Sequence, residues 1–477
     1  MSTTSLLNSM AGAANAATAA NLSSILQAAT GASSAGIDVT AAVNSAITAA
    51  RAPEDTWNSQ ISVLHSQSTA LTTLQSYATN LDNDMQALNS LTGLLAATTV
   101  TSSNTSIVTA TAASGSATGN NVVVVNNLAS TASFSSTPVS SASTALPVES
   151  FTITNHGGTA ATITTGSGVN TLADLQTAIN GAGLGLTASI INDSSGSRIA
   201  IASNTSGSSG NFTVTSTGTS FTFAQAVTGN NASLTVNGIS ISSASNTVTG
   251  AAPGLILNLL GASPAGSSVS LSVAPDTATA SAAINQFVTD YNTVISALNT
   301  EFSNTSGSGQ GSLAQDPTVR NLQAELLQAL NYTAAPASGS SATKVPNLTS
   351  MGLSVNADGT LSADNSKLTR VLQSNFSDVQ NLFQGASLNG FGGSLDKQLT
   401  SFINPADGAF TVDLQSISTQ TRGLRADITT FEANVIAPLR TKLQSDLSLA
   451  EILLQQLPRQ MKQISTELGQ NTSSTGG

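Results

Sequence analysis

The sequence predicts an α+β protein: a discontinuous helical coiled-coil stalk built from both chain ends, with two β-rich head domains inserted between them. Two observations carry this. Both ends place apolar residues at alternating steps of three and four, which lays one narrow stripe along a helix and requires another helix to cover it. Between them the chain turns to Thr, Ser and Val punctuated by Asn and Gly, the composition of strands and their turns.

The stripe near the N-terminus runs through Leu71, Leu74, Ala78, Leu81, Met85, Leu88 and Leu95. Its counterpart runs through Leu414, Ile417, Thr421, Leu424, Ile428, Phe431 and Val435, and resumes at Leu443, Leu447, Ala450, Leu454, Leu457, Met461, Ile464 and Leu468. Read as domains, 1–35 is a flexible N-terminal segment, and 36–97 with 280–435 form the helical stalk. Residues 98–135 with 225–279 form one β-rich head, 136–224 a second, and 436–477 a C-terminal coiled-coil segment and tail.

Element by element, Asp38 is the expected N-cap of a helix carrying Val39, Val43 and Ile47. Pro53 lacks an amide hydrogen and fits only the first turn of the next helix, so Ala52-Pro53 is a joint. From Trp57 that helix is expected to reach about Ala96. Ser106 to Ala112 and Asn121 to Leu128 read as a strand pair, and Val122 to Val125 as buried on both faces. Residues 129–148 read as a linker. A compact unit follows, with strands at Phe151-Thr152-Ile153 and Thr162-Ile163-Thr164, then Thr171 to Asp174 as a capping-box start. Its helix buries Leu172, Leu175 and Ile179 and ends at Gly181, and strands at 186–191, 198–202 and 211–215 complete it. Further strands lie at 233–236, 239–242, 255–259 and 268–273, the first two joined by Asn237-Gly238, a strong hairpin signal. Helical periodicity returns from Ala283 to Phe302, and Asp316-Pro317 starts another helix.

The 477 residues suffice for about three domains of roughly 150 residues each. Only 8% are charged, against a usual fraction of about 25%, so solubility comes from Ser, Thr, Asn and Gln. A net charge of −11 argues against nucleic acid and against anionic membranes as partners. Without cysteine there is no disulfide, thiolate metal site or thiol nucleophile, a pattern that fits an exported bacterial protein. Met1 to Thr30 lacks the basic start and apolar core of a cleavable signal, and no stretch approaches the ~18 apolar residues of a membrane span. An exported chain of this kind needs a route without signal cleavage.

No catalytic, cofactor or metal site is expected. His65 and His156 are the only histidines and lack a zinc context. Gly181 to Gly185 is glycine-rich but follows a helix and precedes a strand, the reverse of a nucleotide loop. There is no GxSxG elbow, and Asp82 and Asp84, two apart on a helix, face different directions. The apolar stripes alone fit either an internal helical hairpin or a filament stalk.

Particular residues carry a resemblance. Gly36-Ile37-Asp38-Val39, Ala52-Pro53 and Thr101 to Thr105 stand in that order, followed by Phe151-Thr152-Ile153, Thr171 to Leu175 and Ala178-Ile179-Asn180. Leu234 to Ile239, Ser245 to Val248, Pro253-Gly254, Val273 to Asp276, Phe287 to Asn292, Met351-Gly352-Leu353, Asp358 to Leu361 and Asp364 to Leu368 continue it. In this order they resemble the flagellar filament cap family, also called hook-associated protein 2, from about Ala35 to Gly469. The unit around Leu172, Leu175, Ile179 and Asn180 resembles the Ile-Asn module of flagellins and their caps. Arg51 departs from the family's acidic residue before Ala-Pro, while Pro438 and Pro458 predict a kink or short break in the C-terminal coil.

The resemblance implies a secreted, non-enzymatic cap at the distal tip of the flagellum, a ring-shaped homo-oligomer, commonly a pentamer. It implies flagellin, hook-filament junction proteins, the flagellar export apparatus and a chaperone as partners, and no cofactor. Heads would form a plate, and the stalk and the C-terminal assembly helix from Leu443 to Leu468 would point onto the filament. An exported surface adhesin, or another flagellar axial or junction subunit, is the alternative.

Overall fold

The computed structural model describes residues 39–303, 313–336 and 342–471, with side chains described as far as residue 466. The expected flexible segment 1–35, the cap at Asp38 and the end of the tail lie outside the described residues.

Helix α1 spans Val39–Ala50 and buries Val43, Ala46 and Ile47. Helix α2 spans Ala52–Asn89, with Pro53 in its first turn, where a missing amide hydrogen costs nothing. It stops short of the expected Ala96. Ser90 turns to extended backbone, and Gly93 folds back so tightly that a Cβ there would lie 2.1 Å from the Ala87 carbonyl oxygen. A short 3₁₀ turn, Leu94–Ala96, then returns Leu95 to the core, which is why the apolar period outlasts the helix.

The strands in chain order are β1 Thr98–Ser102, β2 Val108–Ala112, β3 Gly119–Asn127, β4 Thr131–Ser136, β5 Ser150–Asn155 and β6 Ala160–Thr164. Helix α3, Leu172–Gly181, precedes β7 Leu186–Asp193, β8 Gly196–Ser206, β9 Phe212–Ser216 and β10 Phe223–Val227. Next come β11 Ala232–Val236, β12 Ile239–Ser243, β13 Thr247–Thr249, β14 Leu255–Leu259 and β15 Val269–Pro275. A five-stranded sheet in the order β1-β15-β3-β11-β12 and a three-stranded sheet β13-β14-β2 enclose one apolar core. The sheets β10-β4-β8-β7 and β6-β5-β9, with α3, enclose another.

Three strand expectations need correction. Residues β2 and β3 do not pair; β2 joins β14 and β3 lies between β11 and β15. Within β3, Val123 and Val125 are buried while Val122 is 45% exposed, so the Val run alternates instead of being buried on both faces. The expected linker at 129–148 contains β4, which pairs with β8 and β10 and buries Ala132 and Phe134. The Asn237-Gly238 hairpin does form: both residues have positive φ, 52° and 82°, and Val236 pairs with Ile239.

Beyond the sheets lie α4 Thr277–Ser303, α5 Pro317–Ala329, α6 Leu348–Met351, the hairpin β16 Leu353–Val355 and β17 Leu361–Ala363, and α7 Asn365–Ser374. Then follow α8 Phe376–Gln384, α9 Phe391–Ile403, α10 Ala409–Phe431 and α11 Ala437–Asn471. Asp316 caps α5 by accepting from the amides of Thr318 at 2.8 Å and Val319 at 3.2 Å. Between α10 and α11 the turn widens to a π segment, Glu432–Ile436, with the Ala437 amide donating to the Glu432 carbonyl. The irregularity expected near Pro438 is this widened turn, beyond which the helix runs on, whereas Pro458 sits inside α11 with helix on both sides and makes no break.

Candidate assembly surfaces

Along α2, Leu71, Leu74, Leu81, Met85 and Leu88 are at most 1% exposed, and Leu95 joins them after the turn. Their cover is the helical core around α4, α8 and α9. At its centre the rings of Phe287 and Phe391 lie 5.7 Å apart at 74°, and those of Phe383 and Phe391 5.7 Å apart at 76°. Leu414 and Ile417 of α10 reach only the rim of this core, partly buried. The sequence sets α2 against the C-terminal helices, and α10 does pack along it; α4 and α9, which the stripe did not announce, pack against it as well.

A second apolar cluster lies where the chain ends meet. Val43, Ala46 and Ile47 of α1 pack with Phe431, Ile436, Leu443 and Leu447, with Val435 partly buried beside them. Trp57 meets Phe431 edge-on with ring centroids 5.5 Å apart. Arg51 forms ion pairs with Glu54 and, more closely, with Glu432. Arg440 Nη1 donates to Asn44 Oδ1 at 3.2 Å. Partner numbers thus rise toward the C-terminus as α1 is followed toward its start, so the two segments run antiparallel. Between the clusters, Ile61, Leu64, Leu424 and Ile428 are only half-buried. An open cleft of about 680 Å³ there is lined by Ile61, His65, Ile417, Arg422 and Arg425.

Past Leu447 the C-terminal stripe is bare. Leu454 and Leu457 are each 49% exposed, Ile464 55% and Met461 67%. The side chain of Leu468 lies outside the described residues.

In the α3 unit, Leu172, Leu175 and Ile179 are buried against the sheet. Thr171 and Asp174 form a reciprocal capping box; the Thr171 hydroxyl and nearby amides, donating to Asp174, hold its carboxyl below the usual aspartate range. Asn180 bonds the main chain of Ala188 on β7: its Nδ2 donates to the carbonyl at 3.2 Å and its Oδ1 accepts from the amide at 2.7 Å. β7 is an edge strand, so this side chain stands in for a missing neighbour.

The described residues hold no group of three or more His, Asp or Glu side chains placed to bind a metal, and His65 and His156 are exposed. Asp82 and Asp84 do face different ways: Asp82 meets Asp396 of α9 and Asp84 meets Asp290 of α4. Burial, followed by the facing carboxyl, pushes each up to about 7. The acidic partners on α9 and α4 carried no sequence signal.

The family model for the C-terminus of flagellar hook-associated protein 2 matches residues 229–457, and that for its N-terminus matches residues 35–132. The B-type flagellar hook-associated protein 2 of Pseudomonas aeruginosa is 27% identical over 339 residues, covering 64% of this chain and 69% of that protein. The A-type protein is 30% identical over 178 residues, 36% of this chain and 35% of that protein. The crystal structure of the D1-D2-D3 domains of the flagellar cap protein FliD from Escherichia coli covers 75% of this chain and 99% of its own, at TM-score 0.56 and 26% identity. The chain therefore belongs to the flagellar hook-associated protein 2 family, the cap proteins of the flagellar filament.

Proposed function

We propose that this protein sits at the distal tip of the flagellar filament as a ring of identical subunits and promotes insertion of exported flagellin beneath it. The observation that carries this is the C-terminal helix: an apolar stripe from Leu454 to Ile464 stands exposed, whereas the stripe from Leu71 to Leu95 and the cluster from Phe431 to Leu447 are buried. Each such side chain gains roughly 1.5–3 kcal/mol on full burial, enough to make assembly favourable. A ring of identical subunits uses heterologous contacts whose rotation closes.

In this reading, α1, α2, α10 and α11 form the stalk, and the helical core holds it to the heads. The β-core built around β3 and β14 is one head, and the β-core built around α3 is the other. The stripe residues Leu71 to Leu95 and Leu414 to Val435 keep the stalk rigid, and Leu443 to Leu468 supply contacts to the filament. The Ser/Thr-rich head surface suits weak contacts that form again with each arriving flagellin. Subunit folding and burial drive insertion, and no chemical step by the cap is required. The subunits leave the cell through the flagellar export route and act outside it.

Native mass spectrometry of the purified chain, with immunogold labelling of filaments, tests this reading. A closed oligomer and gold confined to filament tips are expected. A strict monomer at micromolar concentration, with gold along the filament shaft or the cell surface, would overturn it.

A further inference from the structure

Like-charged carboxyls meet where the helices of this chain meet. Asp82 and Asp84 of α2 face Asp396 of α9 and Asp290 of α4, Glu54 of α2 faces Glu432, and Asp316 ahead of α5 feels Asp413 of α10. In every pair one buried carboxyl oxygen has no hydrogen-bond partner: Asp82 Oδ1, Asp84 Oδ2, Glu54 Oε1 and Asp413 Oδ2. Two ionised carboxylates are acceptors only, so neither can satisfy the other. A single proton between them makes one a donor and removes one charge.

At Glu54 a cation eases the conflict, because Arg51 lies against both acids. At Asp82 and Asp84 no cation among the described residues does. The side chains acting on Asp82 are Asp396 and Gln86, and on Asp84 Asp290. Gln86 Nε2 donates to Asp82 Oδ2 at 2.8 Å, and Gln286 Nε2 donates to Asp290 Oδ2 at 2.9 Å, which leaves the remaining oxygens to the facing acid. Asp82 is only 4% exposed and lies between the fully buried Leu81 and Met85.

We propose that Asp82 with Asp396 and Asp84 with Asp290 form a proton-held latch: one proton shared in each pair lets α2 pack against α9 and α4 together, and loss of those protons loosens α2 from both. The sign follows from linkage. Both Asp82 and Asp84 are raised from 3.8 to about 7, so between those values the folded chain holds protons that the unfolded chain has released. Stability is therefore greatest below the lower value, falls as pH rises through the window, and levels off above it.

The test is thermal unfolding of the full chain from pH 5 to pH 8.5, for the natural protein and for Asp82→Asn with Asp84→Asn. Asparagine offers an N–H donor at every pH. The natural protein is expected to lose about 5 °C or more in Tm across the range, and the double variant to lose clearly less and to lie above it at pH 8.5. Should that variant fail to fold, Asp396→Asn with Asp290→Asn supplies the same donors from the opposite helices and carries the same expectation. A Tm loss that persists unchanged in the asparagine variants would overturn the proposal. Recovery of the natural protein at pH 8.5 on adding millimolar Ca²⁺ would assign the pairs to a metal ion and also overturn it.

Discussion

Replacing Asn180 by alanine tests how the α3 unit closes its sheet. Ala188 is 1% exposed, and its amide and carbonyl point away from β8 to the Asn180 side chain, with Gln176 Nε2 also donating to that carbonyl at 3.1 Å. After the substitution the carbonyl keeps Gln176, while the amide has no protein partner. Stranding a buried donor costs about 1–3 kcal/mol. Asn180 is itself exposed, so water relieves part of the loss and the expected cost lies near the low end, about 1 kcal/mol, or roughly a fivefold rise in the local opening constant. Amide hydrogen exchange read at Ala188 measures this directly. Asn180→Asp keeps an acceptor for the Ala188 amide but no donor for its carbonyl, so it should restore protection of the amide without restoring stability fully. Unchanged exchange at Ala188 in Asn180→Ala would refute the clamp.

Other substitutions probe other levels of the structure. Phe391→Ala removes the ring that touches Phe287, Phe383 and Tyr332, and should cost about 3–5 kcal/mol in urea unfolding of the helical core. Gly93→Ala places a methyl group against the Ala87 carbonyl and should lower Tm, even though the residue lies in a turn. Arg51→Glu sets a third acid beside Glu54 and Glu432; burial chiefly raises Glu54, so hydrogen exchange in α1 should speed up at pH 7 and slow again toward pH 5 as carboxyls take up protons.

Features made by neighbouring residues were legible in the sequence. Pro53 and Pro317 belong in first turns because a missing amide hydrogen costs nothing there, and Thr171 with Asp174, or Asn237 with Gly238, complete their motifs within a few residues. Features made by distant residues were not. β4, with the sequence Thr-Ala-Ser-Phe-Ser-Ser, has little strand preference and exists because β8 and β10 pair with it from more than sixty residues away. The apolar stripe on α2 announced that a helix must be covered, but not that α4 and α9 would share the covering with α10. For the assembly surface, periodicity found Leu454, Leu457, Met461 and Ile464, and only the fold shows that α1 stops covering α11 near Leu447. The pairing of Asp82 with Asp396 spans more than three hundred residues and left no local trace.

Deleting the gene in its own bacterium, then restoring either the full chain or a chain ending at Leu447, tests the central claim most directly. Electron microscopy would measure filament length, and immunoblotting would measure flagellin released to the medium. The account predicts hooks without filaments and abundant monomeric flagellin in the deletion, rescue by the full chain, and no rescue by the shortened one. Filaments of normal length in the deletion strain would contradict it.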